Sequence, residues 1–208
     1  MRSLEVGSAE VGILQQRHRE REGLPEGARR ILSGADDSLG ISIQALGVLA
    51  DHLRIPERYR LAVESALRHS VDAIIVNDGE AARTLADYLA QTHAGSVDIL
   101  PAVPDATIKS DGKQWNGDLL LNHIEFPEKV RELLHHLLDH VYVLPPGEAL
   151  PTEIPAGIAI VREDGLLADG YGSASLRLPE ETESTTLGQQ AQLVACQDAL
   201  AHLQAQEE

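Results

Sequence analysis

The feature that most constrains this fold is an internal repeat. A segment that begins at Gly47, with a Leu-rich stretch, a histidine and then a Pro-Glu pair, recurs beginning at Gly117. Each copy continues through a helical pattern and an apolar β-type run to a Gly-Glu-Ala sequence, at Gly79 and at Gly147. Neither copy is long enough to enclose a comfortable core of its own. The repeat therefore predicts two similar lobes around a pseudo-two-fold axis, with function in how the lobes meet.

Composition predicts a globular chain with an aliphatic core. The 208 residues are 43% hydrophobic but only 3% aromatic, so Leu, Val, Ile and Ala must fill the interior. The only cysteine, Cys196, excludes an intramolecular disulfide and a thiolate metal cage. The sequence contains no apolar run long enough for a signal or membrane segment. We therefore expect a cytoplasmic protein without a membrane partner.

The charge distribution argues against tight, autonomous binding to DNA. The formal net charge is −16, and residues 105–208 carry 6 basic against 18 acidic groups. Proteins that bind nucleic acids neutralise phosphates with clustered Lys and Arg. A local basic patch remains an open alternative, as a weak DNA contact through Arg29, Arg30, Arg54, Arg58 and Arg60.

Periodicity predicts a mixed α/β (α+β) fold with mixed sheets wrapped by helices. Helical spacing alternates with short apolar runs and turn residues along both copies of the repeat. The predicted helices are Glu26–Leu32, a segment from Pro56 to Leu67, Glu80–Gln91 and Pro127–Asp139. The predicted strands are Ala73–Val76, Val97–Leu100 ended by Pro101, Val141–Leu144 and Ile158–Val161 before the Asp164-Gly165 turn.

The two ends of the chain have a different pattern. Residues 1–22 read as a charged helix stopped by Gly23 and Pro25, and residues 185–207 carry a heptad-like seam of Leu193, Cys196, Leu200 and Leu203. They could be ordinary terminal helices, but as a matched pair they favour an antiparallel coiled-coil stub. Between them we expect a domain over 26–178, with lobe one at about 26–102, a linker at 103–114 and lobe two at 115–178.

No motif for catalysis or cofactor binding emerges from the sequence. Gly112-Lys113 is followed by Gln114 and lacks the earlier glycine of a nucleotide-binding loop. His135, His136 and His140 lack the glutamate of a zinc motif, so a solvated helix face is favoured over a metal site. We assign the chain no catalytic residue, cofactor or metal.

Several of these segments resemble the hinge domain of structural-maintenance-of-chromosomes (SMC) proteins. The resemblance covers about residues 26–176. It rests on Glu26–Leu32 before a loop, Leu49–Leu53, a proline followed by Ala62–Leu67, the strand at Ala73–Val76, and Gly95–Pro101. Where the family commonly ends in a Gly-Gly pair, this chain has Ala174 and Ser175.

The resemblance implies a dimerisation module rather than an enzyme. It implies a homodimer that joins two long antiparallel coiled-coil arms of a chromosome condensation and segregation protein, whose far ends form an ATPase head. DNA would then be bound through the parent protein, accessory condensin subunits would bind through its heads, and the location would be the nucleoid. A rival interpretation is a monomeric α/β enzyme or ligand-binding domain with a site at the lobe junction, around Trp115, Asp118 and His123.

Two segments are the candidates for the dimer interface. An isolated edge strand exposes unpaired backbone donors and acceptors, which pairing across a two-fold axis satisfies. We expect an edge strand of lobe one to meet a strand near the end of lobe two of the partner. The candidate residues are Gly95, Ser96, Val97, Asp98, Ile99 and Leu100 in the first segment, and Gly170, Tyr171, Gly172, Ser173, Ala174 and Ser175 in the second.

Overall fold

The structure is a computed structural model that describes residues 24–33, 45–105, 115–178 and 186–189. The N-terminal stub, the leucine seam with Cys196 and most of the linker lie outside the described residues. Of the C-terminal stub, only residues 186–189 are described, and they are helical.

The described elements confirm the mixed α/β class. The helices are α1 (Glu26–Leu32), α2 (Arg60–Leu67), α3 (Gly79–Thr92) and α4 (Arg131–Leu138). The strands are β1 (Gly47–Val48), β2 (Ile74–Asp78), β3 (Ile99–Val103), β4 (Asp118–Leu119), β5 (Val141–Leu144), β6 (Ala159–Arg162), β7 (Leu166–Asp169) and β8 (Ala174–Leu176). Short 3-10 turns at Leu49–His52, Glu57–Tyr59, Leu120–His123 and Glu128–Val130 precede α2 and α4.

The strands form two sheets that begin alike. In the three-stranded sheet, β1 runs antiparallel to β2, and β2 runs parallel to β3. In the five-stranded sheet, β4, β5 and β6 repeat this arrangement, and β7 and β8 then extend it with two antiparallel pairings. The internal repeat is thus visible as structure, with β7 and β8 present in the second sheet only.

The structure also sets the register of the repeat. β1 and β4, the 3-10 turns and the helices α2 and α4 are all 71 residues apart. Gly47 is therefore equivalent to Asp118. An alignment of Gly47 with Gly117 would be out of register by one residue. Arg54 and Glu125, also 71 apart, exchange both backbone hydrogen bonds at 2.8 and 2.9 Å. This pair of equivalent residues places the pseudo-two-fold axis between the lobes.

The lobes share one core because each packs its helix on the sheet of the other. α2 contacts β6 and β7, whereas α4 contacts β3. The main cluster of buried residues accordingly draws on both lobes, from Val48 and Ile75 in the first to Leu134 and Val161 in the second. A smaller cluster, around Tyr142, Ile158 and Ile160, lies in lobe two alone.

Sequence reasoning misplaced the boundaries of three strands by one to three residues and missed four strands. The predicted end of the third strand at Pro101 is wrong, because β3 continues through Pro101 to Val103. A proline without an N–H group is tolerated at an open sheet edge, which needs no donor at that position. The missed strands β1, β4, β7 and β8 have only two to four residues each, too few for a pattern of period two. No helix in the described ranges is long and apolar enough to cross a membrane.

Candidate dimer interface

Of the four terminal strands in the two described sheets, the two longer ones, β3 and β8, provide the candidate edges. β3 is the last strand of the three-stranded sheet, and β8 is the last strand of the five-stranded sheet. Neither strand pairs with a further described strand on its outer side. An edge strand of this kind is a ready template for pairing with another chain.

The hydrogen-bond register shows what the β3 edge offers. The N–H of Ile74 donates to the carbonyl of Asp98 at 2.8 Å. Because bonding residues alternate in a parallel ladder, the backbone groups of Ile99, Pro101 and Val103 point away from β2. The edge therefore presents three carbonyls and the N–H groups of Ile99 and Val103.

The β8 edge follows from the same reasoning. On its inner side, the N–H of Asp169 donates to Ser173 at 3.1 Å and the N–H of Arg177 donates to Gly165 at 3.2 Å. The alternate residues, Ala174 and Leu176, therefore direct their backbone groups away from β7. Both edges thus present regularly spaced donors and acceptors to a partner.

Exposed apolar side chains concentrate at the same two edges. Among the described residues, the large hydrophobic side chains that remain exposed are Val103, Tyr171, Leu176 and Leu178, at 52%, 84%, 53% and 48%. Val103 ends β3, and the other three lie in or next to β8. Clustered exposed apolar groups mark an interaction surface rather than ordinary solvent-exposed surface.

The turn before β8 is held by the carboxylate of Asp169. It accepts hydrogen bonds from the N–H groups of Tyr171 and Ser173, at 2.9 and 3.1 Å, and from the Ser173 hydroxyl at 2.5 Å. The hydroxyl, followed by the backbone donors, holds the pKa of Asp169 below its ordinary value. These bonds fix the direction in which β8 leaves the turn.

Arg68 holds β8 from lobe one. It is a non-glycine residue with a φ of 48°, a conformation that costs free energy and persists only where the surroundings enforce it. Its guanidinium donates to the Ser175 hydroxyl at 3.2 Å. The strained residue therefore lies at a contact between the end of α2 and the edge strand.

Two further polar contacts join α2 and the 3-10 turn before it to the β6–β7 turn. Arg58 pairs with Glu163 at 2.7 Å, and the Glu163 side chain is only 7% exposed. The buried Ser65 hydroxyl donates to the carbonyl of Gly165 at 2.8 Å. The second lobe's hairpins are thus positioned by the first lobe's helix, not only by their own sheet.

The predicted interface residues divide into edge residues and supports. Ile99, Leu100, Ala174 and Ser175 lie on the two edge strands, whereas Val97 and Asp98 precede β3 and Ser96 lies next to Gly95 in the same loop. Tyr171, Gly172 and Ser173 form the turn before β8.

The two glycines that begin the predicted segments face their own chain. A Cβ at Gly95 would lie 2.9 Å from the Gly27 nitrogen in α1, and a Cβ at Gly170 would collide with the Pro155 carbonyl. Sequence reasoning missed Val103, Leu176 and Leu178. An extension of the apolar pattern beyond Pro101 and beyond Ser175 would have indicated them.

The arginines considered for a weak DNA contact differ in their surroundings, and two of them form ion pairs within the chain. Arg58 pairs with Glu163, and Arg60 pairs with Glu57 at 2.9 Å. Arg54 lies at the pseudo-axis, and Arg29 and Arg30 lie in the last turn of α1. Two of the five cations are therefore already matched by carboxylates.

The rival site at the lobe junction is divided between two separate clusters. His123 Nε2 lies 2.6 Å from the Asp118 carboxylate, and the ring stacks on Tyr59 with centroids 4.1 Å apart. Trp115 instead packs with the smaller core cluster, and its backbone N–H donates to the Tyr142 hydroxyl at 3.2 Å.

The helical histidines do not assemble a metal site in the described part of the chain. His135 pairs with Asp139 at 2.8 Å. Within the described ranges, no three His, Cys, Asp or Glu side chains are placed to share a metal ion. Burial lowers the pKa of His140, which favours its neutral form.

Comparison with known proteins identifies the family of this chain. The family model of the SMC proteins flexible hinge domain matches residues 43–146, half of the chain. The chain belongs to this SMC hinge family.

Relatives and solved structures give the same result. Chromosome partition protein Smc of Halothermothrix orenii is 34% identical over 94 residues, which cover 45% of this chain and 8% of that protein. The Desulfitobacterium hafniense protein of that name is 26% identical over 173 residues, 80% of this chain and 14% of its own length. The chain thus spans a small part of its curated relatives.

Two solved hinge structures share the fold. An asymmetric dimer of the Geobacillus stearothermophilus SMC hinge domain matches with a TM-score of 0.73 and 20% identity, over 99% of this chain and 85% of that one. The Pyrococcus furiosus SMC hinge domain matches with a TM-score of 0.59 and 20% identity, over 83% and 89%.

Proposed function

We propose that this chain forms a homodimer in which β3 of each copy pairs with β8 of the other. The observation that carries the proposal is the coincidence of two open sheet edges with the four exposed hydrophobic side chains of the described residues. A two-fold axis would make both contacts at once, so each chain would use both of its edges. A solved hinge relative described as an asymmetric dimer supports homodimerisation.

The two edge strands belong to different sheets, so each copy offers two unlike edges to its partner. β3 ends a three-stranded sheet and β8 ends a five-stranded one, so their pairing makes one continuous sheet across each contact. Pairing satisfies the outward donors and acceptors and buries Val103 and Leu176. Two such contacts close a ring, and a ring leaves neither edge free to add further copies.

At the level of the whole protein, we propose that the dimer is the hinge of a longer chromosome partition protein. The family membership and the names of the curated relatives support this proposal. DNA, accessory subunits and a nucleoid location would belong to that longer protein. The acidic balance of residues 105–208 supports weak or absent DNA binding by this chain itself.

The oligomeric state tests the proposal directly. We expect sedimentation velocity and light scattering to give a dimer for the 208-residue chain. Val103→Lys or Leu176→Glu should shift it to monomer, because each variant forces a charge into a contact that would exclude water. The double variant should regain dimer, since the two new charges would attract each other across each contact. Gln91→Lys, on an exposed position of α3, is the matched control and should remain a dimer.

The proposal has two clear ways to fail. A wild-type chain that sediments as a monomer at high concentration would refute homodimerisation. A dimer that survives both single substitutions would show that the copies meet elsewhere on the surface.

A further inference from the structure

One buried nitrogen in α4 has no bonding partner in the described structure. The Nδ1 atom of His136 is inaccessible to solvent, and no described atom lies within hydrogen-bonding distance of it. A buried donor or acceptor without a partner costs free energy, and native proteins rarely leave one unpaired without a reason. This atom therefore points to a partner outside the described residues.

The internal repeat indicates what that partner is. His136 lies 71 residues after Ser65, so the two occupy equivalent positions in α4 and α2. The Ser65 hydroxyl is bonded, because it donates to the carbonyl of Gly165 at 2.8 Å. Gly165 lies in the turn that leads from β6 into β7. Ser65, the equivalent of His136, thus bonds the backbone just before β7, the strand that pairs with β6.

Lobe one lacks that next strand in the described residues. α2 packs against both β6 and β7, and α4 packs against β3, the equivalent of β6. β7 pairs with the edge of β6 that corresponds to the open edge of β3. By this equivalence, α4 overhangs the place that a strand added to β3 would occupy.

We propose that His136 recognises the second copy of this chain at the β3 edge. Its Nδ1–H donates to a backbone carbonyl of the partner's incoming β8 segment, as the Ser65 hydroxyl donates to Gly165 within one chain. His136 is then a specificity residue, because a strand in the wrong register would leave its nitrogen buried and unpaired. This inference rests on the proposed homodimer and adds to it a contact outside the two edge strands.

The neighbouring positions of the repeat agree with this arrangement. Arg58 and Arg68, which contact Glu163 and Ser175 of lobe two, are equivalent to Lys129 and Asp139. Charged side chains thus flank His136 at the same spacing as those that flank Ser65. Lys129 keeps the positive charge of Arg58 just before α4, whereas Asp139, just after it, pairs with His135 at 2.8 Å.

Three substitutions in the 208-residue chain test the inference by sedimentation equilibrium. His136→Phe keeps a planar ring but removes the donor, and it should raise the dimer dissociation constant about tenfold or more, since both symmetric contacts lose a bond. His136→Asn keeps a donor near the Nδ1 position and should remain within about threefold of wild type. His93→Asn, on the exposed residue that ends α3, makes the same chemical change away from α4 at a φ of 51° that asparagine tolerates, and this control should dimerise like wild type.

A ring-nitrogen NMR spectrum of the wild-type chain provides a second readout that needs no substitution at position 136. The ¹⁵N shift of His136 Nδ1 should differ between the wild-type dimer and the monomeric Val103→Lys chain, because the bond exists only in the dimer. An unchanged shift would overturn the inference even if His136→Phe did not fold. So would a His136→Phe chain that dimerises as tightly as wild type. In either case a wild-type dimer sensitive to Val103→Lys would leave the proposed function intact.

Discussion

The two lobes share a scaffold but differ in how they connect their parallel strands. Lobe one passes from β2 to β3 through α3, a 14-residue helix capped by the Asp78 carboxylate. Lobe two passes from β5 to β6 through an irregular segment, residues 145–158, with prolines at 145, 146, 151 and 155. Proline removes a backbone donor and blocks a helix interior. The same topological step is therefore made by a helix in one lobe and by a loop in the other.

The lobes also differ beyond their last parallel strand. Lobe two covers the edge of β6 with β7 and β8, so that its open edge moves outward to β8. Lobe one has no such addition among its described residues, and β3 stays open. An internal duplication that stayed symmetric would have two identical edges. Divergence instead gave two different edges, which suits a contact made between unlike surfaces of identical chains.

The largest expected effect compares the two connections directly. Leu85 in α3 is buried in the main core, whereas Ile154 in the proline-rich segment is only half-buried over the smaller cluster. We expect Leu85→Ala to lower the free energy of unfolding by about 3 kcal/mol and Ile154→Ala by about 1 kcal/mol. Urea unfolding of both variants measures the difference. Equal losses would show that the loop contributes as much as the helix.

Gly170 should show the next largest effect. A Cβ at this position would collide with the carbonyl of Pro155, a backbone atom that can move only together with its segment. Gly170→Ala should therefore lower the free energy of unfolding by about 2 kcal/mol, since it separates the β7–β8 turn from the proline-rich segment. Calorimetry measures this loss. A melting temperature equal to wild type would show that the two segments separate without cost.

The repeat made much of this architecture predictable, because it fixed the order of helix and strand in both lobes. Helix Glu26–Leu32 and strand Val141–Leu144 agree with the structure at both ends. Val141–Leu144 was found because all four of its residues are apolar, which is typical of a buried strand. The short strands β1, β4, β7 and β8 were missed, because two to four residues hold too little periodicity.

The candidate site was only partly predictable. The turn signals around Gly95 and Gly170 pointed to the correct neighbourhoods, but both glycines serve close packing within the chain. Each of the helices α2 and α4 packs on the sheet of the other lobe. This packing has no local sequence signal, because it depends on contacts between residues far apart in the sequence. Its consequences, the bond from Ser65 to Gly165 and the unpaired nitrogen of His136, could be found only in three dimensions.

Substitution of Ser65 should have a smaller effect and tests how α2 differs from α4, the helix in the equivalent position of lobe two. Ser65→Ala should lower the free energy of unfolding by about 1 kcal/mol, because the Gly165 carbonyl keeps its bond from Arg177 and is not left unpaired. Thr84→Ala, which removes an exposed helix hydroxyl bonded to Glu80, is the control and should change little. Hydrogen exchange should show the β6–β7 turn loosening in the first variant only.

The smallest expected effect is the pH response of the turn that only lobe two possesses. The Ser173 hydroxyl and the backbone donors lower the pKa of Asp169 in the folded chain. A carboxyl group with a depressed pKa stabilises the fold above its unfolded pKa, about 4, and this contribution is lost as the pH falls through the folded value. Asp169→Asn should therefore be less stable than wild type at pH 7, and the difference should shrink as the pH falls through the folded pKa of Asp169. Asp87→Asn, on an exposed position of α3, is the control. A difference independent of pH would mean that Asp169 acts through the shape of the turn rather than its charge.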